Sequence, residues 1–309
     1  HIPSIRAALV NQGFDYKDIR LDQEVPADVN IMVIAEMREP MTEIEKVHFD
    51  NYIARGGNLM IIGEPKRQKV MNPLVEQFGV KFMDGFLIQP SKEKKLVEEG
   101  QDNRNLGFLA GMVAPANPLD LIVTRPTEAA KKLSYVFAQM HPAFVITMPS
   151  TCGLEYSENK GFKVTPLLMS DSTCWNELET TDIVDQEAEC NPAAGEVAKP
   201  YTLALALSRP MAGQEQRIIV LGDADCLSDG EFNHKRAMLW ATNYVLVQGG
   251  FDWLSNGEAP INITRPPSID RKLFVSGGGA EVLQYMLIGG FPGLLLFLYL
   301  FIWLRRRGR

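Results

Sequence analysis

The chain has 309 residues, 46% hydrophobic and 22% charged, which supplies a large folded core and excludes a disordered polymer. Its net charge of −7 is spread along the sequence with no basic stripe interleaved with aromatics, which excludes the electrostatic footprint of a nucleic-acid-binding protein. The first residue is His1 with no export signal ahead of it, so the expectation is a piece of a longer chain.

Residues 4–11 suit a short helix, and the apolar run 29–35 (VNIMVIA) suits a strand buried on both faces. Thr42 and Glu45 have the spacing of a capping box, opening a helix through Ile44, Val47 and Ile53 that stops at Gly56-Gly57. Residues 59–62 read as a second buried strand, and this strand–helix–strand spacing predicts a right-handed crossover in a parallel sheet. A helix over 68–78 stops at Gly79. Strands are predicted over 121–124 and 144–147, with a helix over 127–139 between them and a further strand near 161–170. Residues 172–198 are acidic and weakly periodic, and are expected to form a long surface excursion. Strands over 201–207 and 217–221 precede an amphipathic helix over 232–247.

Residues 283–304 form an apolar run closed by Arg305-Arg306-Arg307-Gly308-Arg309. As a helix this run spans ~33 Å, enough for a hydrocarbon core of about 30 Å. Residues 286–304 hold no charged or amide side chain, unlike a core helix with one polar face. The arginines are expected on the cytoplasmic side, with the chain before residue 280 outside. The predicted organisation is an extracytoplasmic α/β domain over 1–255, in two lobes with the second from about 140. A Pro/Gly-rich stalk over 256–280, a transmembrane helix over 281–304 and a basic tail over 305–309 follow. The fold expected of the domain is a doubly wound, mostly parallel sheet.

Two places invite chemistry. Gly222-Asp223-Ala224-Asp225 follows the strand 217–221, and ligands bind at the carboxyl ends of parallel strands. Asp223 and Asp225, with Asp229, Glu231 or His234, have the donor types for a divalent cation, giving the alternative of a membrane-tethered metal-dependent hydrolase. The loop also resembles the nucleophile loop of haloacid-dehalogenase-type phosphatases, but Leu227 stands where Thr or Val is wanted and the later lysine and acidic motifs are missing. The residues favour a simpler reading, in which the aspartates accept loop and helix-start N–H groups. The second place is the turn Gly63-Glu64-Pro65, where related α/β enzymes carry a Cys or Ser nucleophile. Glutamate cannot serve in that role, so no catalytic residue, cofactor or metal site is assigned.

Cys152, Cys174, Cys190 and Cys226 form no zinc-ligand pattern. Two readings stay open: a bridge among Cys152, Cys174 and Cys190, or small buried thiols. His1, His48, His141 and His234 are scattered; His48 reads as a packing or solvated residue, and no spacing favours a dyad of His141 or His234 with Cys152 or Cys226. Trp175, Trp240 and Trp253 are expected in the core or at a lobe interface.

Several stretches, in order, resemble one family. They are Ala27-Asp28-Val29-Asn30-Ile31 running into Glu39-Pro40-Met41-Thr42, then Tyr52-Ile53-Ala54-Arg55-Gly56-Gly57-Asn58-Leu59 and Leu167-Leu168-Met169-Ser170 with Trp175 and Glu177. Ile219-Val220-Leu221-Gly222-Asp223-Ala224-Asp225, Asn243 ahead of Trp253-Leu254, Arg265-Pro266 and the apolar end complete the order. From about residue 19 onward the chain resembles the GldG-like auxiliary family of ABC transport systems, first named from bacterial gliding motility. The resemblance implies a glutamine amidotransferase-like fold without catalytic residues. It further implies a substrate-interacting accessory role beside an ABC-2-type permease and a separate ATPase. The placement implied is a bacterial inner membrane, with the globular domain in the periplasm and the C-terminus cytoplasmic. The family begins with a membrane helix and a strand ahead of the region matching His1, and this sequence carries neither.

Overall fold

In the computed structural model, five residues, Ile31–Ala35, form β1. The described residues are 6, 9–90, 119–179, 188–211, 213–234, 236, 239–258, 282 and 284–307. They fall into two units, His1–Ile261 and Asn262–Arg309.

In the first unit, the capping box forms at the start of α1 (Glu43–Ala54): the Thr42 side chain accepts the Glu45 N–H, and Glu45 accepts the Thr42 N–H at 2.8 Å. The face of α1 that packs is Phe49, Tyr52 and Ile53, whereas Ile44 and Val47 are exposed. The chain returns in β2 (Asn58–Ile62), parallel to β1, with Ile31 opposite Asn58 and Ala35 opposite Ile62. Helix α2 (Gln68–Val75) continues in a 3-10 turn that Gly79 ends at φ 79°. Short strands β3 (Val80–Phe82) and β4 (Phe86–Ile88) follow. After β5 (Leu121–Thr124) come α3 (Glu128–Leu133), α4 (Tyr135–Ala138), β6 (Phe144–Pro149), β7 (Leu154–Tyr156), β8 (Lys163–Met169) and β9 (Trp175–Glu177). The unit closes with β10 (Thr202–Met211), β11 (Gln214–Leu221), α5 (Asp229–Asn233), β12 (Trp240–Ala241) and α6 (Tyr244–Leu254).

The main sheet runs β1-β2-β11-β10-β7-β3, with β8 also on β10. It is mixed rather than mostly parallel. β1, β2 and β11 are parallel, and every pairing from β10 outward is antiparallel. The reason is the tight β10–β11 hairpin, where Met211 faces Gln214 and Gly213 sits at φ 85°. A connection that short joins only antiparallel strands. Two further sheets, β12-β6-β5 and β4-β9, lie beside it.

Both faces of the sheet are buried at its centre, but not at β1, where Met32 is buried while Val33 is 48% exposed; as an edge strand it lacks the two-sided burial expected of the run 29–35. Leu59 and Ile61 of β2, with Ile218 and Val220 of β11, pack with Phe49, Tyr52 and Ile53 of α1 and Met71, Leu74 and Val75 of α2. Their alternate neighbours Met60, Ile62, Ile219 and Leu221 pack with Leu246, Val247 and Phe251 of α6, Phe137 of α4 and Ile146 and Met148 of β6. This two-sided burial is why the strands read as unbroken apolar runs. On β10 the alternation slips, and Leu203 and Ala204 join the same core because the register against β8 shifts there.

Three other expectations change. The helix over 127–139 is broken at Ser134, whose extended backbone ends α3 while its side chain accepts the Val136 N–H of α4. The helix over 232–247 does not form, because Trp240–Ala241 is drawn into pairing with Phe144-Val145 and a new helix starts after Asn243. Within 172–198, β9 pairs with β4, and Trp175, Glu177 and Glu196 are buried. Glu196 accepts the N–H groups of Leu178 and Asn191, which fixes the ends of that segment. Residues 180–187 lie outside the described residues, as do most of the proposed 256–280 stalk and much of the 4–11 helix, of which the described residues 6 and 9–11 are helical.

In the second unit, Met286–Arg307 is a 22-residue apolar helix long enough to cross a membrane, with none of it buried. Its first five residues, Met286–Gly290, form a π-helical turn, and α7 (Phe291–Arg307) continues it. The Arg307 guanidinium lies 4.9 Å over the Trp303 ring.

Candidate functional site

The carboxyl ends of β1, β2 and β11 lie side by side, and each is followed by acid. Beyond β1, Glu36 donates its N–H to the Ile62 carbonyl at 3.0 Å and sits at φ 49°, a left-handed conformation unusual for a residue with a side chain. Beyond β2, Gly63 donates to the Leu221 carbonyl at 2.8 Å. Beyond β11, Gly222 donates to Leu203 at 2.9 Å and accepts the Cys152 N–H at 3.0 Å. A β-carbon at Gly63 would enter the Phe82 ring, and one at Gly222 would meet the Cys152 carbonyl oxygen. Both turns need glycine for close approach.

This stitching brings the two candidate places together. Glu64 Oε2 accepts the Ala224 N–H at 3.2 Å, so the elbow side chain clasps the loop that holds the aspartates. Asp223 is 0% exposed; its Oδ1 accepts the Cys226 N–H at 3.2 Å and its Oδ2 has no hydrogen-bond partner. Asp225 is exposed. Burial raises the Glu64 carboxyl to about 7, helped by the charges of Asp225 and Glu36 and opposed by the Ala224 N–H and Arg67. Burial, then Glu64, holds Asp223 well above the ordinary carboxyl range. Burial also raises Asp225, with Glu36 and Glu231 adding to it.

The remaining predicted ligands do not converge on the aspartates. Asp229 opens α5 behind the N-cap Ser228. Glu231 turns to the Arg236 guanidinium and the Thr147 hydroxyl, and His234 is exposed. Among the described residues no three His, Cys, Asp or Glu side chains are placed to hold a metal ion. With Asp223 enclosed and Asp225 in solvent, the pair presents no common open face.

All four cysteines are free thiols, so no bridge links Cys152, Cys174 and Cys190. Cys152, Cys174 and Cys226 are buried; burial pushes Cys174 up to about 11 and holds Cys152 and Cys226 above their ordinary range. The Cys152 and Cys226 thiols donate to the Gly222 and Asp223 carbonyls. Neither forms a dyad: His141 Nδ1 accepts the Ala143 N–H at 3.1 Å, and His234 is outside. His48 Nδ1 meets the Leu21 carbonyl at 2.7 Å. Trp175 and Trp253 are buried as expected, but Trp240 is 64% exposed because β12 is a two-residue edge strand, and it packs edge-on to Phe144.

The sequence reading missed how the second sheet is tied in. Asn243 bonds the backbone of Thr147 and Cys226, and Glu231 joins Thr147 to Arg236. The Ser228–Glu231 spacing was the available signal, since it has the form of a capping box. Here Ser228 caps the Glu231 N–H, while the Glu231 carboxylate points into the core.

The family model for an auxiliary component, described as an ABC-type uncharacterized transport system, matches residues 2–249. The chain belongs to this family. An auxiliary transport component works with transporter partners, and membership points away from an enzyme. The candidate membrane helix at the end of this auxiliary component fits membrane anchoring. No curated protein matches the chain. Among solved structures, the mmIFT52 N-terminal domain is similar at 15% identity and TM-score 0.47, over 76% of this chain and 83% of that one. A putative ThuA-like protein from Bacteroides uniformis ATCC 8492 is similar at 14% identity and TM-score 0.37, over 73% of this chain and 69% of that one.

Proposed function

We propose that the protein is a non-catalytic, membrane-anchored accessory subunit of an ABC-2-type transporter, of the GldG-like kind, that engages cargo or permease with its globular part. Residues 1–255 form the extracytoplasmic domain, with its second lobe from about 140. Residues 256–280 form a stalk, 281–304 the span and 305–309 a cytoplasmic tail, in the inner membrane of a bacterium with the domain in the periplasm. The parallel trio β1, β2 and β11 corresponds in this reading to the centre of a doubly wound, amidotransferase-like sheet.

The observation that carries the non-catalytic reading is Glu64. At the turn where such a fold needs a nucleophile, the side chain is a carboxylate occupied with the Ala224 N–H. The anchoring rests on the helix Met286–Arg307, which places Tyr285 before its apolar stretch and Trp303 near its basic end, about 27 Å apart along the axis. Tethering of this kind holds the domain at high effective concentration beside the permease.

Affinity purification from gently solubilised membranes tests the reading. The permease and ATPase are expected to co-purify with the full chain and to be lost when 281–309 is removed. Assembly that is indifferent to that segment, or a partner set without either protein, argues against it.

A further inference from the structure

Three buried side-chain oxygens among the described residues have no hydrogen-bond partner, and one of them, Asp223 Oδ2, belongs to a carboxyl group. Burying an ionised carboxylate with one oxygen unpaired is costly, whereas a carboxylic acid turns that oxygen into a donor. The charged group that bears on Asp223 most strongly is Glu64, whose Oε2 already takes the Ala224 N–H.

We propose that Asp223 and Glu64 hold one proton between them, and that this proton latches the turn after β2 to the loop after β11. While the pair holds it, one negative charge is shared by two carboxyl groups and the Ala224 clasp stays shut. Loss of the proton leaves two negative charges in a closed space, and the loop must open to hydrate them. The surroundings make the latch sensitive. Glu36 approaches from the end of β1, Asp225 from the same loop as Asp223, and Arg67 from the start of α2. Cys152, from the turn after β6, and Cys226 are neutral thiols, and Glu231 of α5 is neutralised by Arg236. Facing Glu64, the acids outnumber Arg67, so ionisation meets repulsion.

Both acids bind their proton more tightly in the folded chain than unfolded. Folding is therefore favoured at low pH, and the advantage is lost as pH rises from the ordinary carboxyl range through about 7. The device needs no transporter partner, so its test stands or fails apart from the function proposed above.

Hydrogen exchange of residues 222–227 in the full chain in detergent reads the latch, after correction for the chemical exchange rate. Between about pH 5.5 and about pH 8.5 the wild type is expected to lose about tenfold or more in protection, one unit of proton affinity being worth a factor of ten. In Glu64→Gln and Asp223→Asn the loss should vanish, because the pair can no longer gain the second charge. In Asp225→Asn, an exposed change that leaves folding intact, the midpoint should move to lower pH, because the charge that helps the pair keep its proton is gone. Wild-type protection independent of pH, a full wild-type loss in Glu64→Gln, or an unmoved midpoint in Asp225→Asn would each overturn the proposal.

Discussion

Asn243 lies against Thr147 in the manner of a paired strand residue: its Oδ1 accepts the Thr147 N–H at 2.9 Å, and its Nδ2 donates to the Thr147 carbonyl at 2.7 Å. The same Nδ2 reaches the Cys226 carbonyl at 2.7 Å, so one amide joins β6 to the loop after β11. Asn243→Ala strands a buried N–H and two carbonyls and is expected to cost about 2–4 kcal/mol. Asn243→Asp should cost at least as much, since both donors are lost. Urea unfolding followed by tryptophan fluorescence reads both; a change below about 0.5 kcal/mol in either variant would contradict the role given to this side chain.

Glu231 and Arg236 form a nearly enclosed ion pair to which Thr147 adds its hydroxyl. Removing the cation alone, in Arg236→Met, leaves a buried carboxylate unpaired and should cost about 3–5 kcal/mol. Adding Glu231→Gln to that variant should recover most of the loss, because the stranded charge goes with it. The double-mutant cycle checks this: additive losses would mean that the two side chains act independently.

Thiol accessibility differs along the chain. Cys190 is half-buried, while Cys152, Cys174 and Cys226 are enclosed and burial disfavours their thiolates. A thiol reagent applied to the folded protein at neutral pH is expected to label Cys190 alone, with the other three reacting after denaturation. Rapid labelling of Cys152 or Cys226 would show that the loop carrying Gly222 and Asp223 opens far more readily than its packing implies.

Leu296 lies midway along Met286–Arg307. Arginine there should disfavour insertion by about 2.5–3.5 kcal/mol, and alkaline carbonate should then release a larger share of the protein from membranes. The same release from the unaltered chain would remove the case for a spanning helix.

The parts of the fold that showed in the sequence are those governed by local rules or by two-sided burial. Thr42 and Glu45 predicted a capping box that forms, and the apolar runs of β2 and β11, buried on both faces, became neighbouring parallel strands; β1 also pairs parallel to β2, but as an edge strand with Val33 exposed. What did not show depends on distant partners. The far ends of β10 and β11 are polar, and Gln216 is enclosed there only because its amide meets the carbonyls of Ile53 and Gly57. β9 contains Asn176 and Glu177, which read as surface until Asp84 and the Trp175 indole supply their partners. At the candidate site, Glu64 and the aspartates were each visible, but the contact between Glu64 and Ala224 spans 160 positions and no spacing rule reports it.

Asn72 of α2 has a bearing on how the molecule keeps to itself. Its amide accepts the Phe82 N–H at 2.7 Å and returns a bond to the Phe82 carbonyl at 3.1 Å, at the margin where β3 ends the main sheet. A strand margin with free amides and carbonyls is a template for another chain, and here a helix side chain fills that role first. Removing it, as in Asn72→Leu, would leave the Phe82 N–H and carbonyl at that margin open to pairing with another strand.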